Sequence, residues 1–72
     1  MTRRIDVPLF DLDGHTAFRC PGALEPVYAD EAWIEEDTGL DVVRRRWWAR
    51  SGDTAPRLIY EDMRERRDPD GA

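Results

Sequence analysis

Apolar and polar positions alternate along the start of the chain. Ile5, Val7 and Leu9 fall on one side of the alternation and Asp6, Pro8 and Phe10 on the other, which predicts a strand over residues 5–12. Asp13-Gly14 interrupts it with a dipeptide suited to a type I′ turn, whose two central residues both need positive φ. With that pair as the loop, Leu12 faces His15, Leu9 faces Phe18 and Val7 faces Cys20. Ile5, Val7, Leu9, Phe18 and Cys20 then share one side, and Asp6, Phe10, His15, Ala17 and Arg19 the other. Cys20-Pro21-Gly22 closes the second strand, because proline cannot donate to a ladder and glycine permits a turn.

After a loop over 21–26, residues 27–37 admit two readings. One is a strand that ends in the loop Asp37-Thr38-Gly39; the other is a short helix near 30–38, capped by Asp30 and closed by Gly39. The strand is preferred. Residues 40–50, LDVVRRRWWAR, carry branched and aromatic side chains without a helical stripe and predict a long strand, followed by a loop over 51–56 and a last strand over 57–62. The expected register sets Ile34 opposite Val42, Glu31 opposite Arg45 and Asp30 opposite Arg46. On the other side Trp47 meets Tyr60, Arg46 meets Glu61 and Arg45 meets Asp62, so acids flank the arginines from both neighbours. Trp33 and Trp47 then share a core face with Val43 and Tyr60, while Trp48 lies opposite with Arg44, Arg46, Ile34 and Ile59. The segment 64–72, RERRDPDGA, is apolar only at its final Ala and reads as a flexible polar tail. The predicted fold is one small, mostly β domain over 1–63, an antiparallel meander sheet or partly open barrel of about five strands.

Size sharpens the picture, because a chain of 72 residues buries little surface and is marginal without a staple or a partner. One cysteine, Cys20, and one histidine, His15, leave no internal disulfide and no clustered zinc ligands. No apolar run reaches the length of a signal segment or a membrane span, so the expected setting is soluble and cytoplasmic. The formal net charge is -5, from 16 acidic and 11 basic residues, which weakens nonspecific attraction to nucleic acid or anionic membranes. All the basic residues are arginine, a usage expected of a GC-rich coding genome such as that of an actinobacterium or its phage.

The stretch VPLFDLDG, an apolar strand leading into Asp11-x-Asp13-Gly14, resembles the first motif of the haloacid dehalogenase superfamily. The resemblance implies Asp11 as a nucleophile toward phosphorus and Asp13 as acid and base. It covers about ten residues and departs from the family at His15. The chain has no lysine to stabilise a phosphorylated aspartate, and no room for the crossover helices of a doubly wound sheet. An Asp-Gly hairpin explains the same residues. The motif also resembles the start of a calcium-binding EF-hand loop, but the twelfth position from Asp11 is Gly22 rather than a glutamate. His15 and Cys20 sit at odd spacing on one strand and point to opposite faces, which separates them as ligands. Ser51 and His15 are the sole members of their kinds and suggest no catalytic arrangement. No enzyme, cofactor, metal or small-molecule substrate is inferred.

Arg44-Arg45-Arg46-Trp47-Trp48-Ala49-Arg50 is the stretch richest in chemistry. Alternation sends Arg44, Arg46, Trp48 and Arg50 to one face, where arginine stems also cover apolar surface. The expected binding residues are those four with Ile59. The leading expectation is a non-enzymatic protein-interaction module, a regulator or accessory subunit, that binds another protein or forms a weak homodimer through this face or the free edge of the last strand. The alternative is a nucleic-acid binder in which the same residues grip phosphates and stack bases. A third reading is an acidic mimic of nucleic acid.

Overall fold

The computed structural model describes residues 1–66. Seven strands, β1 (Thr2–Asp6), β2 (Phe10–Leu12), β3 (His15–Phe18), β4 (Val27–Tyr28), β5 (Glu31–Thr38), β6 (Val42–Arg50) and β7 (Arg57–Glu65), form two antiparallel sheets. The larger has the order β1-β5-β6-β7 and the smaller β2-β3-β4; neither is closed into a barrel. Among the described residues there is no helix, and the segment with two readings is strand.

The first hairpin turns on Asp13 and Gly14, at φ of 54° and 79°, and Leu12 faces His15 as expected. The strand leading into it, however, is split. Val7 donates its amide to the Ala32 carbonyl and so prolongs β1 along β5, and Pro8, with no N–H, ends the ladder. Val7 therefore does not face Cys20, nor Leu9 Phe18; the small sheet begins only at Phe10. A second switch lies at residues 29–30. Ala29 donates to Thr16 in the small sheet, whereas Asp30 donates to Arg50 in the large one. The three short strands are thus an excursion between two strands that lie side by side, β1 and β5.

The excursion folds onto one face of the large sheet. Phe18 and Cys20 from the small sheet's side, Ala29 at the switch, and Ala32, Trp47 and Ala49 from the large sheet make one buried cluster, with Val7, Val27, Ile34, Ile59 and Tyr60 packed against it. Trp47 meets Tyr60 edge to face at 5.2 Å between ring centroids. Tyr60 in turn lies over Gly22, whose φ of +80° and 3.1 Å clearance from its missing Cβ position to the tyrosine ring make any side chain there strained. Four of the buried residues among those described are alanines, Ala17, Ala29, Ala32 and Ala49. Arg57 ties the sheets together at the rim, donating to the Tyr28 carbonyl.

The β6–β7 register is as expected: Trp47 faces Tyr60, Arg46 faces Glu61 and Arg45 faces Asp62. A bulge then slips the ladder so that Trp48 faces Leu58, and Ile59 becomes the extra residue. The β5–β6 register differs from expectation. Ile34 faces Trp47 rather than Val42, and Glu31 faces Arg50 rather than Arg45. β7 also runs on to Glu65, so Arg64 and Glu65, expected in the tail, face Val43 and Val42 as ladder residues. The rest of the expected tail, 67–72, lies outside the described residues.

Candidate interaction face

The β5–β6 hairpin places the site. Its turn is tight, Gly39 donating to the Val42 carbonyl, and this sets Glu35, Glu36 and Asp37 opposite Arg46, Arg45 and Arg44 in order. Trp33 is consequently opposite Trp48, and directly opposed residues of an antiparallel pair project to the same face. That face is the one the small sheet leaves uncovered. Along it lie Arg4 of β1, Glu31, Trp33 and Glu35 of β5, Arg44, Arg46, Trp48 and Arg50 of β6, and Leu58, Glu61 and Met63 of β7.

Arg44, Arg46, Trp48 and Arg50 are therefore together, as the alternation predicts. Ile59 is not with them: the bulge turns it toward the core cluster, and its neighbour Leu58, nearly half exposed, takes the place on the open face. Ile34 also moves to the core side, opposite Trp47. Trp33, expected in the core, moves the other way. The register expected for β5 and β6 differs from the observed one by an odd number of residues, and an odd slip exchanges the two faces of a strand. The matching runs of three acids and three arginines carried the signal for the observed register, since only that alignment pairs all of them.

Most charges on this face are already partnered. Glu31 accepts from both Arg4 and Arg50. Those contacts hold the Glu31 carboxyl below its ordinary range, chiefly through the Arg4 hydrogen bond, and raise the Arg4 guanidinium for the same reason. Arg46 donates to Glu61 at 2.7 Å and lies 3.5 Å from Glu35; the Glu61 bond is the main cause of its raised pKa. Among the described residues Arg44 has no carboxylate within ion-pair distance, and its guanidinium rests on the Met63 sulfur at 3.7 Å. On the opposite face Arg45 grips Asp62 through two bonds of 2.8 and 3.2 Å and lies 5.0 Å from the Trp47 ring centre.

The aromatic part of the face is less complete. The Arg4 guanidinium covers one side of Trp33 at 4.5 Å from its ring centre. Between Trp33 and Trp48 lies a shallow trough of about 280 Å³, with Glu35 and Pro56 on its walls. Among the described residues the buried Trp48 indole Nε1 has no hydrogen-bond acceptor. The two outer strands of the sheet are guarded by charge, β1 by Arg3, Arg4 and Asp6, and β7 by Glu61, Asp62, Arg64 and Glu65, which discourages pairing along the edges.

No family model, curated protein or solved structure matches this chain. The geometry of the open face carries the functional reading.

Proposed function

We propose that this protein is a non-enzymatic interaction module, a regulator or accessory subunit, that docks another protein on the open face of its larger sheet. The observation that carries the reading is the cross-strand pair Trp33 and Trp48 on an uncovered face. Tryptophan is enriched among residues that dominate binding energy. Leu58 and Met63 extend the apolar strip along β7, with the Arg46 and Arg50 ion pairs set among them, a mixture typical of interface composition. A nucleic-acid role is disfavoured on the same face, because Arg4, Arg46 and Arg50 already hold carboxylates and the net charge is -5.

The test is recovery of partners by the tagged chain from lysate of its native cell, with and without nuclease, beside a Trp33→Ala/Trp48→Ala variant whose fold is checked by circular dichroism. The expected result is one polypeptide that survives nuclease and is lost with the variant. Recovery that nuclease abolishes, or that the folded variant retains, overturns the proposal.

A further inference from the structure

The trough between Trp33 and Trp48 has a chemical character as well as a shape. Its walls are two indoles, a proline ring and one carboxylate, Glu35. Glu35 is incompletely used. Its contact with Arg46 is 3.5 Å, whereas the same guanidinium makes a 2.7 Å bond to Glu61, and the Glu35 side chain stays 39% exposed. A carboxylate can accept about four hydrogen bonds, so Glu35, which lines the slot, keeps free acceptor capacity.

The same face already shows what such a combination holds. At its β1 side the Arg4 guanidinium lies over Trp33 while donating to Glu31, and Glu31 accepts a second guanidinium, from Arg50. The trough repeats these parts, indole surface beside a carboxylate, and among the described residues no guanidinium lies over Trp48. We propose that the trough recognises an arginine side chain on an extended segment of the partner protein, an inference that rests on the reading of this face as a docking surface. A guanidinium stacks flat on indole surface and presents a fork of donors to a carboxylate, which a compact, strongly hydrated ammonium does less well. Phosphate is repelled by Glu35, and the net charge of -5 draws a basic segment toward the chain.

The experiment follows the three indole N–H resonances of the ¹⁵N-labelled full chain during titration with an acetylated and amidated Gly-Arg-Gly tripeptide. Citrulline and lysine versions serve as comparisons. A single exposed cation–π contact with one ion pair predicts saturation in the range of about 1–10 mM. The Trp33 and Trp48 resonances shift and that of Trp47 stays in place. The citrulline peptide, which keeps the shape and loses the charge, gives no saturable shift, and lysine binds more weakly than arginine. Glu35→Gln weakens the arginine peptide roughly fivefold, with the unmoved Trp47 resonance reporting an intact core. Equal shifts with citrulline, no shift with arginine, or full affinity in folded Glu35→Gln overturns the assignment. If the peptide fails while a nuclease-resistant partner is still lost with the tryptophan variant, the docking face stands and arginine recognition falls.

Discussion

Phe18 is the largest fully buried side chain of the described structure, and it belongs to the smaller sheet while its cluster includes Trp47, Ala32 and Ala49 of the larger one. Replacing it with alanine tests whether the two sheets share one core. A buried phenylalanine truncated to alanine costs about 3–5 kcal/mol when the cavity cannot collapse. Chains of this size have a total stability of about 4–11 kcal/mol, scaling at 0.05–0.15 kcal/mol per residue. The substitution therefore removes roughly a quarter or more of the whole, and Phe18→Leu, which keeps most of the volume, costs about 1–1.5 kcal/mol. Urea unfolding followed by far-ultraviolet circular dichroism and by tryptophan fluorescence measures both. The expected result is a single transition in each probe, displaced to lower urea in the order wild type, Phe18→Leu, Phe18→Ala. A loss below about 1 kcal/mol for the alanine variant, or a large-sheet transition that ignores the substitution, refutes the shared core.

Gly22→Ala introduces a Cβ at φ +80° and 3.1 Å from the Tyr60 ring, and a loss of about 1–2 kcal/mol is expected in the same urea assay; an unchanged midpoint counts against the packing of that loop on Tyr60. Glu31, depressed by Arg4 and Arg50, contributes stability that is present above its ordinary pKa of 4.5 and is lost as pH falls through the lower folded value. Melting temperature should therefore fall on the acid side less steeply in Glu31→Gln than in wild type, and identical acid limbs speak against the Arg4–Glu31–Arg50 cluster. Burial raises the Cys20 thiol pKa. Its alkylation by iodoacetamide near neutral pH should be slow in the folded chain and reach the rate of a free thiol in denaturant; equal rates in both conditions place Cys20 outside the core.

Much of the local architecture was legible along the chain. Asp13-Gly14 has the side chains that tolerate positive φ, so the first turn and the pairing of Leu12 with His15 follow from local chemistry. The alternation from Arg44 to Arg50 placed Arg44, Arg46, Trp48 and Arg50 on one face because strand geometry alone sets that relation. The β6–β7 pairing near Trp47 was also readable, since aromatic faces aromatic and arginine faces acid there.

Register across β5 and β6, and the bulge at Ile59, were decided by the tertiary structure. Periodicity says which residues share a side of one strand but not which side of its neighbour they meet; that depends on the turn and on which face finds a cover. The three-stranded excursion supplies that cover on the side of Trp47, Ala32 and Ala49, where small alanines let its Phe18 approach. Trp33 and Trp48 were thereby left together on the open side, and Ile59, the extra residue at the bulge, was turned inward. The sequence by itself determined the first turn, the strand character of Val42–Arg50 and which residues of that strand share a face. Which aromatic residues became core and which became surface was a property of the packed sheets, because a shift of one residue exchanges the two faces, and burial together with the pairing of Glu35, Glu36 and Asp37 with Arg46, Arg45 and Arg44 distinguishes them.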